Sequence, residues 1–353
     1  MSEAPAVTAK APEAQALPFE QALYVHSPFG LIVTTLLVFA LLFGSFLGIA
    51  SAEHVTTVHR AGYGYAFSDA AWPALVLTLL CCTALGMQRY GRLAEARNTA
   101  DYAKILTGGM ASALNVTSTT PSEARFGRAT LLGLACGLVI AAIVRISEMR
   151  EGHAIPPMTM AWFAAATVLL MVLFMRGAEQ TRAGNRSYAR VLNAELKIDL
   201  LRTDQLAVLG RSAARTALIW FVISAIACLF FIGGDLDWLT IALIVSCAAM
   251  GGGLFVSIMS RIHKQIRHAK SAELEHVRCR IEAMRAAMHD DAHAAQRLHG
   301  FLAYEKRISE APEWPFDQTT LVRVVASAFI LAVPWFGQAV AAFVVERLAQ
   351  FAK

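Results

Sequence analysis

Charged side chains are scarce in this sequence. Lys, Arg, Asp and Glu make up 16% of its 353 residues, against about 25% in a typical soluble domain. Apolar residue types reach 56%, which is more apolar surface than one globular core of this length can bury. The shortage of charge therefore excludes an ordinary soluble protein and predicts an integral membrane protein.

Seven long apolar segments contain no Lys, Arg, Asp, Glu or His. A bilayer core about 30 Å thick requires roughly 20 apolar residues in an α-helix. The segments are residues 30–50, 72–87, 129–144, 159–175, 217–234, 238–259 and 324–345. We therefore predict an all-α, polytopic membrane protein with about seven transmembrane helices. Pro334 leaves two interpretations of the last segment, a kinked span or a re-entrant hairpin.

Lys and Arg are concentrated in alternate connections between these segments. Of the 31 such residues, 25 fall in the connections after the second, fourth and sixth segments. Because cytoplasmic loops retain Lys and Arg, we predict that these three connections and the N-terminus are cytoplasmic. The Ala-rich composition and the strong Arg bias favour a bacterial inner membrane.

This topology divides the chain into eight regions. The first 20 residues are rich in Ala, Pro and Glu and have no apolar period, which is typical of a disordered tail. The predicted regions are a disordered cytoplasmic tail (1–28), a first transmembrane hairpin (29–88), a cytoplasmic loop (89–128), a second hairpin (129–175), a cytoplasmic helix (176–215), a third hairpin (216–259), a long cytoplasmic helix with its return (260–318) and a C-terminal transmembrane helix (319–353).

Residues 261–304 contain no Pro, and their first Gly is Gly300. Apolar residues recur there at three-four spacing, which predicts a long helix that packs on another helix and turns near Gly300. The predicted contact residues are Leu274, Val277, Ile281, Met284 and Met288. Two interpretations remain open: this helix packs within one protomer, or it forms an oligomeric cytoplasmic anchor.

Glycine marks candidate contacts and a candidate hinge within the spans. Small residues four apart allow two helix backbones to approach closely. The predicted helix-packing pairs are Gly44 with Gly48 and Gly133 with Gly137. Consecutive glycines weaken a helix, so they indicate either tight packing or a moving element. The candidate hinge or gate residues are Gly251, Gly252, Gly253 and Pro334.

The apolar segments carry no side chain suited to coupling or catalysis. Proton-coupled carriers, pumps and voltage sensors need an ionisable group at membrane depth, and intramembrane hydrolysis needs a nucleophile with a base or a metal. We therefore predict no enzyme, no cofactor and no metal site. Acidic and His residues of the outer connections lack ligand spacing; they are Glu53, His54, His59, Asp69, Glu148, Glu151 and His153. His289 and His293 fall on the solvent-facing side of the predicted helix.

The predicted layout resembles, in topology alone, the inverted seven-helix ligand-gated channels of insect chemoreception. That resemblance implies a channel, and the uncharged spans favour movement of helices against one another. We therefore predict an oligomeric channel or channel-like sensor without charged coupling residues. The alternative is a non-transporting scaffold or signalling subunit that recruits a partner through its cytoplasmic helices. The expected partners are the lipid bilayer, further copies of this chain and a cytoplasmic protein, and no nucleic acid.

Overall fold

The computed structural model describes residues 19–61, 64–117, 122–151, 155–194, 200, 207–231, 238–287 and 292–314. These residues are almost entirely helical. The elements are α1 (Phe19–His26), α2 (Gly30–Ala52), β1 (Val58–Ala61), β2 (Gly64–Phe67), α3 (Ala71–Ile105), α4 (Gly109–Thr117), α5 (Glu123–Glu151), α6 (Pro157–Ala194), α7 (Ala207–Ala227) with a 3₁₀ turn (Cys228–Phe231), α8 (Trp238–Ala287) and α9 (Ala292–Ser309).

Six helices are long and apolar enough to cross a membrane, namely α2, α3, α5, α6, α7 and α8. This finding confirms an integral membrane protein of helical class. The seventh predicted span, residues 324–345 with Pro334, lies outside the described residues. The prediction placed the fifth span at 217–234, whereas α7 begins ten residues earlier at Ala207. Arg211 and Arg215 kept these residues out of an uncharged segment, but a helix can include both.

Helix α3 lies at the centre of the bundle. In the most apolar 18-residue stretch of α3, 56% of the residues are buried, whereas the corresponding stretches of α2 and α5 are 11% and 17% buried. Ala74, Leu80 and Cys81 of α3 are almost fully buried, and the Cys81 thiol lies 3.8 Å from the Ala166 carbonyl oxygen of α6. Small side chains on α3 thus let several helices pack around it, which is how spans associate in lipid.

Three helices continue beyond their apolar segments at the same end of the bundle, where α3 ends at Ile105, α6 at Ala194 and α8 at Ala287. We call this the basic end, because it carries the Lys- and Arg-rich connections. Tyr102 of α3, Leu209 of α7 and Ile262 of α8 share one buried cluster there. At about 1.5 Å per residue, the 50 residues of α8 extend about 75 Å.

The opposite end, here called the hairpin end, carries two short strands that an all-α prediction did not include. Strands β1 and β2 pair antiparallel with Val58 opposite Phe67 and Ala61 opposite Gly64. Each strand has only four residues, too few for an alternating pattern to be distinguished from a loop. The fold class is therefore helical with one small hairpin.

Helix α1 lies within the segment that was predicted to be a disordered tail. The Glu20 side chain is 2% exposed and accepts a 2.9 Å hydrogen bond from Nη2 of Arg176 on α6. Arg176 also donates 2.8 Å to Thr130 and lies over the Phe126 ring. Composition could not predict this segment, because its order depends on an ion pair with a residue 156 positions away.

The continuous helix predicted to turn near Gly300 is wrong in its boundary. Helix α8 ends at Ala287 and α9 begins at Ala292, and α9 runs through Gly300. Helix α9 packs antiparallel on α8, with Ile308 buried against Val277. Residues 292–309 form a separate helix because they have an apolar face of their own, which covers the face of α8.

Candidate functional site

A cavity of about 570 Å³ lies between α3, α6, α7 and α8. It occupies the basic-end half of the bundle, starting at Ala84 and Leu170 and reaching Thr99 and Asn185. A volume of this size is typical of a site for one small ligand. The cavity is therefore our candidate functional site.

The inner part of the cavity is apolar. Its walls there are mainly the side chains of Leu170, Leu173, Phe174 and Ile223 from α6 and α7. The Gln88 amide of α3 also lies there, and it donates 3.1 Å to the Leu173 carbonyl oxygen. The Phe174 and Trp220 rings meet edge to face with centroids 5.2 Å apart. An alkyl or aromatic group of a ligand would lose its contact with water here, which is favourable.

The outer part of the cavity, here called the mouth, is polar and carries both charge signs. Arg92 and Glu95 of α3 face it together with Gln180, Asn185 and Ser212. Arg92 and Glu95 lie in the continuation of α3, past residue 87 where the second apolar segment ends. The mouth thus supplies charged and hydrogen-bonding groups without a charge at the middle of a span.

Glu95 is held in place by three neighbours. Its carboxylate accepts hydrogen bonds of 2.8 Å from the Tyr102 hydroxyl and 2.9 Å from the Ser212 hydroxyl. The guanidinium of Arg215 lies 3.8 Å from the same carboxylate. These contacts tie α3 to the start of α7 and fix the shape of the mouth.

Trp220 carries a buried donor without an acceptor. The residue is 3% exposed, and its Nε1 has no hydrogen-bond partner among the described residues. Helix α8 approaches it closely, since a Cβ on Gly251 would lie 3.0 Å from the Trp220 Cβ and 3.1 Å from the Ala217 carbonyl oxygen. The small size of Gly251 therefore allows α8 to pack closely against the part of α7 that lines the cavity.

Glycine keeps the cavity open. Gly177 and Gly184 on α6 and Gly91 on α3 all line it. A Cβ at Gly184 would meet no described atom within 4 Å, and one at Gly91 would meet only the end of Ile219. The seven-residue spacing of Gly177 and Gly184 places both on one face of α6, and this was the sequence signal that our prediction of site residues missed.

The two predicted glycine pairs lie in different environments in the structure. A Cβ at Gly133 would lie 2.6 Å from the Val172 Cα, and one at Gly137 would lie 2.6 Å from the Val168 Cα, so α5 and α6 touch backbone to backbone. A Cβ at Gly44 or Gly48 would meet no neighbouring element within 4 Å in the described ranges.

The candidate hinge glycines lie inside unbroken helix α8. Gly251 packs on α7, whereas a Cβ on Gly252 or Gly253 would meet nothing within 4 Å in the part of the chain that the structure describes. Pro334, the fourth candidate, lies outside the described residues.

The predicted contact face of α8 packs on α9 of the same chain. Val277 and Ile281 are buried with Ile308, and Leu274 packs against this cluster. Met284 is half-buried, and Met288 lies outside the described residues. This placement corresponds to packing within one protomer, the first of the two interpretations.

At the hairpin end, Glu53 serves a helix terminus. Its carboxylate accepts hydrogen bonds of 2.8 and 2.7 Å from the backbone N–H groups of Met158 and Thr159, and 2.7 Å from the Thr159 hydroxyl. Within the described ranges, no group of three or more His, Cys, Asp or Glu side chains could hold a metal ion.

Comparison with known protein families, with curated proteins and with solved structures finds no match.

Proposed function

We propose that this chain is a channel-like membrane sensor that binds a small amphipathic molecule in the cavity between α3, α6, α7 and α8. One observation carries the proposal: a cavity of about 570 Å³ whose inner walls are apolar and whose mouth is polar. A ligand with one apolar and one polar end would match both parts. The proposed function is binding, without catalysis.

Helix α8 would carry the effect of ligand binding from the cavity to α9. Leu254 and Ile258 of α8 line the cavity, and the same helix continues to Ala287, where α9 packs on it. A ligand that displaces Trp220 would act on Gly251 directly, since their contact is close. Gly252 and Gly253 would let this helix bend, because glycine lowers the cost of distortion.

Membrane orientation and assembly belong to the same proposal. The Lys and Arg bias supports a cytoplasmic basic end and N-terminus in a bacterial inner membrane. The face of α2 at Gly44 and Gly48, which no described residue covers, would contact a second copy of the chain, and a conducting pore would form between copies. Ion flux in planar bilayers that Gly252→Leu abolishes would support the conducting form.

Blocking the cavity tests ligand sensing. We expect amphipathic ligands to raise the thermal midpoint of the purified full-length protein, and Gly184→Phe to remove that rise, because the new ring would fill open space at the mouth. Gly127→Phe is the matched control, since Gly127 is equally unobstructed but does not line the cavity. An unchanged ligand response in Gly184→Phe would contradict the proposal.

A scaffold function is the second candidate, and the α8–α9 hairpin favours it. Charged contacts between Arg278 and Glu305 at 2.8 Å and between Lys270 and Glu313 at 3.4 Å hold the hairpin closed. It offers a charged surface away from the apolar segments. A partner complex that survives cavity blocking and is lost on deletion of 292–314 would favour the scaffold.

A further inference from the structure

We propose that one face of α8 binds the anionic phospholipid head groups of the leaflet at the basic end. The face is formed by Arg261, Lys264 and Arg267, and we call it the basic face. This inference is separate from the sensor function, because these three residues do not line the cavity. Three observations support it: the exposed side of the helix, the lack of acidic partners, and the depth of these residues relative to the bilayer.

Helix α8 has three sides beyond its apolar segment, and two of them are covered. The side with Ile262 is buried against α3 and α7. The side with His263 faces the segment after α9, where the His263 and Trp314 rings stack with centroids 4.3 Å apart. The basic face lies on the third side, and all three of its residues are exposed.

Within the apolar segment, the exposed side of α8 is aligned with the basic face. Val245 and Val256 are 59% and 60% exposed, as expected of side chains that contact lipid. Val245, Val256 and Arg267 follow one another at intervals of 11 residues, which is about three turns of an α-helix, so they lie on nearly the same side. The side that contacts lipid tails therefore continues into the basic face where the apolar segment ends.

Arginines of the neighbouring helix α7 lie near carboxylates, whereas those of the basic face do not. Arg211 lies 3.8 Å from Asp101, and Arg215 lies 3.8 Å from Glu95. The sequence from 261 to 272 contains no Asp or Glu, and within the described ranges no carboxylate lies within 4.0 Å of the charged groups of the basic face. The uncompensated positive charge of the basic face thus complements an anionic head group.

The basic face lies at the level of the lipid head groups. The sixth apolar segment ends at Met259, so Arg261, Lys264 and Arg267 follow at about 3, 8 and 12 Å along the helix. The polar region of one leaflet is about 5–8 Å thick, and long Lys and Arg side chains extend toward polar surroundings. Phosphodiester groups are therefore within reach of all three side chains.

The test compares an anionic lipid with a zwitterionic lipid that has the same acyl chains. We would measure the Kd of dioleoyl phosphatidylglycerol and of dioleoyl phosphatidylcholine for the full-length protein by native mass spectrometry. The wild type is expected to bind the anionic lipid at least about 10-fold more tightly. In the triple variant Arg261→Gln/Lys264→Gln/Arg267→Gln the two lipids should bind within about twofold of each other, because the attracting charges are gone.

The matched control removes three charges that lie further from the membrane. Arg280 and Arg285 are exposed residues of the same helix, about 30 and 40 Å beyond Met259, and Arg307 is exposed on the facing part of α9. The variant Arg280→Gln/Arg285→Gln/Arg307→Gln should therefore keep the preference for the anionic lipid, because surface charges act over about 10 Å in salt.

Equal loss of the preference in both triple variants would indicate an effect of net charge alone and would overturn the proposal. Two measurements on the wild type test it without any variant. Equal binding of the two lipids would overturn it and leave the sensor function standing. Glycerophosphoglycerol, the head group without acyl chains, should not displace the lipid at equal concentration; displacement would identify a site for a soluble anion instead.

Discussion

At the scale of single residues, Glu53 shows how a charge outside the spans can hold two of them together. Helix α6 begins at Pro157, so its first N–H groups have no partner within the helix. The Glu53 carboxylate accepts from two of those groups and compensates the positive end of the helix dipole. Desolvation raises the pKa of Glu53, but the hydrogen bonds from Thr159 and Met158 lower it and prevail.

We predict that Glu53→Gln lowers the thermal midpoint by about 1–3 °C at pH 7 and has no effect well below the native pKa of Glu53. The native pKa of Glu53 is lowered, so its stabilisation is complete above the ordinary pKa of a Glu side chain in the unfolded chain and is lost as the pH falls through the native pKa. Thermal melts across this pH range check the prediction. Asp69→Asn changes an exposed carboxylate at the same end and should leave the melts unchanged; an equal effect of both would contradict the cap.

Arg176 carries a charge that is buried at a helix junction. Its side chain is 11% exposed and that of Glu20 is 2% exposed. Removing one member of a buried ion pair leaves the other charged and uncompensated, which costs about 3–5 kcal/mol. Replacing both with apolar residues removes that penalty.

We therefore expect Glu20→Leu and Arg176→Met each to destabilise the protein strongly, and the double variant to recover most of the loss. Unfolding in increasing SDS gives the free energies for this double-mutant cycle. Arg182→Gln is the control, because Arg182 is 58% exposed and lies 3.9 Å from Glu179. An exposed ion pair of this kind contributes about 0–1 kcal/mol to the free energy of unfolding. Additive losses in the double variant would contradict a coupled pair.

At the scale of helices, the same glycine spacing leads to two different environments. The Gly133 and Gly137 backbones touch α6, whereas a Cβ at Gly44 or Gly48 would meet no described atom within 4 Å. Spacing alone states only that close approach is possible. Which helix approaches depends on how all the spans assemble.

Alanine substitution should separate these two environments. Gly133→Ala would place its Cβ 2.6 Å from a backbone atom of Val172, and we expect a loss of about 1–3 kcal/mol from overpacking. Gly44→Ala meets no described atom and should be neutral or stabilise by up to about 1 kcal/mol within one chain. Chemical unfolding of both variants measures this difference, and equal losses would contradict the α5–α6 contact.

At the scale of the whole molecule, the two ends of the bundle have distinct chemistry. The hairpin end holds β1, β2 and the Glu53 cap, whereas the basic end holds the cavity mouth and the α8–α9 hairpin. Six spans connect these ends in alternating direction.

Sidedness can be measured with an impermeant maleimide on intact cells. Cys279 is the exposed cysteine among the six, and it lies on α8 at the basic end. We expect Cys279 to react only after permeabilisation, and Asp69→Cys, in the Cys279→Ser background, to react from outside. Reaction of Cys279 in intact cells would reverse the proposed orientation.

The amino-acid sequence alone determined that this protein folds in a membrane. Uncharged segments of about 20 residues are stable as helices in the lipid bilayer. The polarity of each side chain does not depend on which residue it packs against. The same local property predicted six spans that the structure contains, as well as the basic end. The helix rhythm of Leu274, Val277 and Ile281 likewise predicted a packed face without naming what covers it.

Which residues meet was settled by the assembly of the helices. Arg176 holds α1 in place through an ion pair, and Glu53 caps the start of α6. The cavity depends on glycines of α3 and α6 that lie opposite Trp220. Each of these contacts joins positions far apart in the chain, and its energy comes from burial and geometry that exist only after the helices pack together. A pattern within one segment carries no record of such a partner.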